Sequence, residues 1–186
     1  MFKMMLVVGS LAASGLAAAS GPSFAQEEST NRVAAETDWS VFVEDDPTQC
    51  WVVSQPTETV NTRDGVEVQV NRGDILMFVS FWPSENRMGE VSFTGGYPYP
   101  DGHVVTVEIG DDSFEFYTEN RDVDGENVGF AWSPTAEDDA RLIAAMKRGA
   151  DAVITGVSSR GTTTRDSVSL FGFTAAVEDA EARCSS

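Results

Sequence analysis

Only a few side chains of this sequence could carry out chemistry. Among its 186 residues there is one histidine, His103, and there are two cysteines, Cys50 and Cys184. Zinc sites need several imidazole or thiolate ligands, and Ser-His or Cys-His hydrolases need a histidine held by a further partner. His103 follows a glycine at an expected strand start and has no evident base partner. These counts disfavour such enzymes, and we assign no catalytic residue, no metal ligand and no cofactor.

The carboxylates are the remaining candidates for acid–base chemistry. The chain has 30 acidic residues, and glycosidases use two carboxyl groups that flank the scissile bond. No spacing in the sequence singles out one such pair. A periplasmic hydrolase is therefore kept only as the alternative to a non-enzymatic protein.

The first residues are typical of a secretory signal peptide. Lys3 supplies a short positive region, residues 4–19 are apolar, and Ser23-Phe24-Ala25 forms a small-x-small cleavage site. We predict a signal peptide over residues 1–25, with a retained membrane anchor as the alternative. The mature protein is then expected in the periplasm, at the outer membrane or outside the cell.

Export changes what is expected of the two cysteines. In an oxidising compartment the simplest arrangement is one disulfide between Cys50 and Cys184. Two free buried thiols are the alternative.

The mature chain is strongly acidic. Removal of residues 1–25 takes away Lys3 and leaves 11 basic and 30 acidic residues, so the net charge is 11 − 30 = −19. A surface of this charge repels phosphate backbones and anionic lipid. We therefore expect a protein or cell-envelope partner and no nucleic acid.

Short runs in which apolar and polar residues alternate recur about every ten residues, separated by Gly, Pro, Asn and Asp. This pattern predicts antiparallel strands packed as a sandwich or barrel. Helices are expected over residues 134–148, with Thr135 as the cap and residues 136, 140, 143 and 146 on the buried face, and over residues 174–184. Residues 26–37 are expected to form a flexible arm, and residues 38–186 a single domain. The expected strands are 39–43, 50–53, 66–71, 75–81, 91–93, 105–109, 114–116, 128–132, 152–157 and 168–170.

Two short motifs have simpler structural interpretations. Arg72-Gly73-Asp74 is an adhesion-type tripeptide, but a turn with solvated charges is the favoured interpretation. Residues 120–125, Asn-Arg-Asp-Val-Asp-Gly, match the start of a calcium loop. The twelfth position is Ala131, where such a loop needs a bidentate Glu. An acidic surface turn is favoured over a calcium site.

The loop Gly96-Tyr97-Pro98-Tyr99-Pro100 and the neighbouring Trp82 are the aromatic and proline-rich part of the chain. Tyr and Trp are enriched at protein interfaces. We hypothesise that Tyr97, Tyr99 and Trp82 contact a partner, with packing over the end of the sandwich as the alternative.

Residues 158–176 carry the patterns S-x-R-G-T-x-T-x-D and S-L-x-G-F-x-A-A. Together with Cys50-Trp51, residues 70–74 and Gly96-Tyr97-Pro98-Tyr99, they resemble the invasion-associated locus B family of exported alphaproteobacterial proteins. The resemblance implies an immunoglobulin-like antiparallel β-sandwich with added helices and a periplasmic or surface location. It offers no catalytic residues to carry over, and a host-interaction role is implied by the resemblance alone.

Arg160 and Asp166 lie six positions apart across a Gly-Thr-Thr-Thr turn. A hairpin here could bring them together as a bidentate ion pair. We hypothesise that this pair fixes the hairpin against the final helix. The sequence as a whole predicts a non-enzymatic exported protein that binds another protein or an envelope component; a hydrolase and a structural or stress-related envelope protein are the alternatives.

Overall fold

The computed structural model describes residues 31–46 and 48–185. The predicted signal peptide and residues 26–30 lie outside this part of the chain. The prediction of a mainly antiparallel β fold with two helices is confirmed. The strands are β1 (Arg32–Glu36), β2 (Trp39–Asp45), β3 (Thr48–Ser54), β4 (Glu58–Arg63), β5 (Val66–Glu67), β6 (Leu76–Trp82), β7 (Arg87–Thr94), β8 (Val104–Ile109), β9 (Asp112–Val123), β10 (Glu126–Trp132), β11 (Asp151–Val157) and β12 (Thr163–Ser169), and the helices are α1 (Ala136–Met146) and α2 (Phe173–Cys184).

The strands share one hydrogen-bonded sheet in the order β1-β2-β3-β6-β7-β10-β9-β8-β11-β12-β4-β5. The sheet curls until its distant strands meet. Trp39 Nε1 at the start of β2 donates to the Ser169 carbonyl at the end of β12 over 2.9 Å, and Asp38 N donates to the Phe171 carbonyl over 3.3 Å. Two halves of the sheet therefore face each other across one core, which gives the expected sandwich-like architecture.

Part of the segment predicted as a flexible N-terminal arm is a strand. Residues 32–36 form β1, which pairs with β2 from Glu36↔Trp39 to Arg32↔Phe42. The turn is two residues long, and Thr37 adopts φ 54° within it. Two-residue hairpin turns typically contain Asn-Gly, Asp-Gly or Gly-X, and the turn here is Thr37-Asp38. The sequence therefore carried no hairpin signal, and the expectation of a loose segment is wrong for these residues.

The alternation at residues 66–71 was misleading. Val66–Glu67 form a short edge strand, and Val66 is 66% exposed. The chain then leaves the sheet until β6 begins at Leu76. Strand β4, which precedes this segment, was not predicted because its polar and β-branched residues pair with β12 at the edge of the core rather than inside it.

The core lies between the two halves of the sheet and under the two helices. Alternate residues of the central strands point inward and are fully buried, as the pleat of a strand requires. Among the described residues, neither helix is long and apolar enough to cross a membrane. The largest buried side chains are Trp39, Phe93, Phe116, Phe173, Met77, Leu142, Met146 and Ile154.

Helix α1 begins with the predicted cap but buries a different face. Asp138 N donates to Thr135 Oγ1 over 3.1 Å, as the capping box requires. The buried residues are Asp139, Leu142, Ala145 and Met146, so the helix is rotated by about one residue from the predicted face. This rotation is explained by a hydrogen bond: Asp139 Oδ1 accepts from Val91 N of β7 over 3.0 Å, so the Asp139 side chain faces the sheet.

Candidate functional site

The predicted disulfide is present. Cys50 of β3 and Cys184 at the end of α2 are bonded, with a Cα–Cα distance of 6.0 Å. Both residues are buried. Helix α2 turns Val177, Ala180 and Cys184 toward the sheet, as the sequence spacing predicts. The bond anchors the last helix of the fold to one of its first strands.

A buried ion pair lies between the segment after β5 and strand β12. Arg72, in the segment after β5, donates through Nη1 and Nη2 to Oδ1 and Oδ2 of Asp166 in β12, over 2.8 and 2.6 Å. The two side chains are 6% and 0% exposed. Arg72 Nε donates to the Gly95 carbonyl over 2.7 Å, and Thr59 Oγ1 donates to Asp166 Oδ1 over 2.9 Å. The pair therefore joins four separate segments of the chain.

The hypothesised pair between Arg160 and Asp166 is wrong. Arg160 is exposed in the turn before β12, where Gly161 N donates to the Ser158 carbonyl. Asp166 points to the interior because side chains alternate along a strand. The sequence of residues 72–74 can be interpreted either as an adhesion motif or as a turn with solvated charges. Both interpretations need an exposed Arg72, and both are wrong because the Arg72 side chain is buried. Its role could not be inferred from local spacing, because its partner is 94 positions away.

The two loop tyrosines belong to the core and not to a contact surface. Tyr97 and Tyr99 are 9% and 2% exposed, and their rings pack edge to face at 5.1 Å. Tyr97 Oη shares a hydrogen bond with Thr164 Oγ1 at 2.6 Å, and the Arg72 guanidinium lies 4.9 Å from the Tyr97 ring centroid. Burial raises the pKa of both phenols, so they stay protonated.

Glycines make the room for this tyrosine pair. A Cβ on Gly129 would lie 2.4 Å from the Tyr97 carbonyl oxygen, and one on Gly156 would lie 2.9 Å from Tyr97 Oη. A Cβ on Gly95 would lie 2.9 Å from the Tyr97 ring and 3.0 Å from Tyr99 Oη. These three glycines and the two tyrosines therefore form a packing unit beside the buried ion pair.

Residues 120–125 have structural roles. The Asn120 amide donates to the Tyr99 carbonyl and accepts from Tyr99 N, both at 2.8 Å. Asp124 and Gly125 adopt φ 53° and 85° in the tight turn between β9 and β10, a turn geometry that suits these residue types. In the part of the chain that the structure describes, no group of three His, Cys, Asp or Glu residues converges as a metal site.

His103 is held as a structural residue. Its Nε2 accepts a hydrogen bond from Val157 N over 2.9 Å, and its ring stacks on Tyr99 at 6.0 Å. Burial lowers the pKa of His103, which agrees with a neutral ring whose Nε2 is an acceptor. The lone pair that a general base would use is already occupied by the backbone.

The remaining predicted contact residue, Trp82, lies on a different feature, which we call the aromatic face. It is the outer surface of β6, β7, β10 and β9 and contains Phe78, Trp82, Tyr117, Phe130 and Trp132. The Trp132 ring stacks on Tyr117 and on Phe130, each at 5.7 Å. Cross-strand pairing of Ser92, Trp132 and Tyr117 sets these rings side by side.

Two arginines cover rings of the aromatic face. Arg87 Cζ lies 4.2 Å from the centroid of the Trp82 ring, and Arg121 Cζ lies 4.4 Å from that of Trp132. Trp82 Nε1 donates to Gln49 Oε1 over 3.0 Å, which fixes the indole. Each arginine is also paired with acidic neighbours. The side chains are thus ordered in place while Tyr117 stays 51% exposed.

The aromatic face extends onto the neighbouring strands. Phe42 and Trp51, which are paired across β2 and β3, stack in parallel at 5.5 Å. They line a shallow groove of about 660 Å³, and a groove of about 340 Å³ lies over Trp82 and Trp132. Phe78 lines both grooves. The sequence showed the alternation of these strands, but not which of their two faces would remain uncovered.

The comparisons with known proteins point to one family. A family model described as "Invasion associated locus B (IalB) protein" matches residues 130–181. A solved structure titled invasion associated protein B from Bartonella henselae superposes with a TM-score of 0.53 at 15% identity, over 82% of this chain and 98% of that one. No curated protein sequence matches the chain. The matched segment runs from β10 to α2 and includes Asp166, and the structural likeness extends the shared fold to most of the chain.

Proposed function

We propose that this chain, which is similar to the invasion-associated locus B family over residues 130–181 and in its fold, is an exported, non-enzymatic binding module whose aromatic face holds a partner protein. The observation that carries the proposal is the ordered row of rings and stacked arginines on one side of the sheet. Tyr117 is 51% exposed, Phe78, Trp82 and Phe130 are half-buried, and Trp132 is buried under Arg121. Soluble domains seldom leave such a row uncovered unless it serves an interface.

The composition of the aromatic face suits a protein partner. Trp, Tyr and Arg are the residues that dominate the binding energy of protein interfaces. Here they are held in place by stacking and by bonds such as Trp82 Nε1 to Gln49, so little side-chain entropy remains to be lost on binding.

The charge of the protein indicates which kind of partner it binds. The predicted mature chain carries a net charge of 11 − 30 = −19, and Glu85, Glu90 and Glu119 lie beside the two stacked arginines. A partner protein with apolar and basic side chains complements this surface, whereas anionic lipid and nucleic acid are repelled.

Export and the absence of catalysis complete the proposal. The Cys50–Cys184 bond is of the kind that persists in an oxidising compartment, which supports a periplasmic or surface location. Against a hydrolase that uses His103 as its base stands the occupied Nε2 of that residue. A purely structural or stress-related envelope protein would not need an ordered aromatic face.

A photo-crosslinking amino acid at position 117 tests the proposal in cells that export the full chain. Position 171 is the matched control, because Phe171 is another exposed aromatic residue, 63% exposed, and lies in the turn between β12 and α2, where it lines neither groove of the aromatic face. We expect a discrete protein adduct from position 117 and none from position 171. The captured protein is then purified and titrated against variants.

The affinities from this titration show whether the aromatic face forms the interface with the captured protein. Trp82→Ala and Tyr117→Ala should each weaken binding about tenfold or more, as interface anchors do, and Phe171→Ala should leave the affinity unchanged. The absence of any adduct from position 117, or equal affinity of all three variants, would contradict the proposal.

A further inference from the structure

A second feature of the surface is a cleft at the end of the sandwich, formed by the segment after β5, the loop after β7 and the turn before β12. Its volume is about 410 Å³, which is in the range of small-molecule sites. It is separate from the aromatic face and shares no lining residue with it. We call it the arginine cleft.

The charge of the arginine cleft is opposite to that of the protein. Its lining includes Arg63, Arg72 and Arg160 and no aspartate or glutamate, although the chain has 30 acidic residues and 12 basic ones. Arg72 is neutralised by the buried Asp166. Among the described residues, Arg63 and Arg160 have no carboxylate within ion-pair distance, so the cleft keeps two uncompensated positive charges.

The rest of the wall supplies neutral hydrogen-bonding groups. Ser158, Ser159, Thr162 and Asn71 line the cleft. Arg63 Nη2 donates to Thr162 Oγ1 over 2.7 Å, which holds the guanidinium against the wall. Hydroxyl, amide and guanidinium donors without a competing carboxylate are the groups that bind oxyanions.

We propose that the arginine cleft binds a small molecule through a phosphate monoester group. A phosphate monoester carries between one and two negative charges at neutral pH, which matches Arg63 and Arg160, whereas a single carboxylate would leave one guanidinium uncompensated. The acidic remainder of the surface disfavours extended polyanions, because these would reach beyond the cleft. The expected ligand is thus compact and free in solution.

Calorimetric titration of the folded protein with inorganic phosphate and with glycerol phosphate tests this site, at low and constant ionic strength. We expect saturable binding, weakened about tenfold or more by Arg63→Gln and by Arg160→Gln, since each removes a charged donor. Arg165→Gln is the matched control, because it deletes an exposed arginine of β12 outside the cleft. Both cleft arginines are exposed, and unchanged melting without ligand verifies that the variants fold.

Three results would overturn the assignment. Equal binding to wild type and to both cleft variants would show that the anion is held elsewhere. Tighter binding of succinate than of phosphate would replace the phosphate group by a dicarboxylate. Binding only to vesicles that contain phosphatidic acid would make the ligand a membrane surface.

Discussion

Arg72 and Asp166 form a bidentate ion pair across 94 positions of sequence, with N–O distances of 2.8 and 2.6 Å and almost no exposure to solvent. The arginine comes from an irregular segment and the aspartate from the centre of β12. Gly95, Thr59 and the Tyr97 ring all contact the pair. It therefore ties β12 and β4 to the segment after β5 and to the loop after β7.

The first prediction concerns this pair. Asp166→Ala leaves the Arg72 guanidinium buried without its partner, and deletion of one member of a buried pair costs about 3–5 kcal/mol. We expect a loss of this size in the free energy of unfolding from urea titration. Arg160→Ala is the control, and it should change the stability by less than about 0.5 kcal/mol because the residue is exposed and unpaired with Asp166. Equal losses in the two variants would contradict the assignment.

The second prediction concerns the glycines around Tyr97. Gly129→Ala places a Cβ 2.4 Å from the Tyr97 carbonyl oxygen, so the backbone must shift, at a cost of about 1–3 kcal/mol. Gly73→Ala is the matched control, because its nearest neighbour would be 3.5 Å away. Thermal denaturation of the two variants provides the measurement, and we expect the lower melting temperature for Gly129→Ala. A Gly73→Ala protein less stable than Gly129→Ala would refute this packing account.

The third prediction concerns the disulfide, whose cysteines are 134 positions apart. Closing a loop of that length stabilises the fold by up to about 5 kcal/mol in the chain-entropy model. We expect dithiothreitol to lower the melting temperature of the wild type and to leave Cys50→Ala/Cys184→Ala unchanged. The double variant should melt near the reduced wild type. If the melting temperature of the wild type does not change after reduction, with reduction verified by thiol labelling, the disulfide does not stabilise the fold.

The fourth prediction concerns pH. Burial between α1 and β7 raises the pKa of Asp139 to about 6, above the value of about 4 expected in the unfolded chain. The folded state then binds more protons, so this group favours folding fully below pH 4 and its contribution is lost as the pH rises through 6.

Asp139→Asn tests this contribution, because the amide oxygen can still accept the Val91 N–H. We expect the variant to be more stable than wild type at pH 7, by about 1–2 kcal/mol, and to lose the advantage near pH 4. Urea titrations across this range provide the measurement, and Glu137→Gln changes an exposed acidic neighbour for comparison. A stability difference that does not change with pH would show that Asp139 does not titrate there.

The sequence predicted those features that depend on local periodicity or on the number of residues of one type, such as the two cysteines. Alternation along the strands indicated the antiparallel fold, Thr135 and Asp138 indicated the start of α1, and two cysteines in a chain predicted to be exported left one simple pairing. The strands and the helix start depend on residues that are close in sequence. The disulfide could be predicted because the chain has only two cysteines, so no other intramolecular pairing exists.

Only the tertiary structure decided the partner of Asp166, the burial of Tyr97 and Tyr99, and the side of the sheet that stays uncovered. These outcomes depend on which distant strands meet when the sheet curls. Alternation along a strand shows that it has two faces, but not which of them the other half of the sheet will cover. The nearby Arg160 was therefore the wrong partner and the distant Arg72 the right one, because contact in the core is set by strand order and not by distance along the chain.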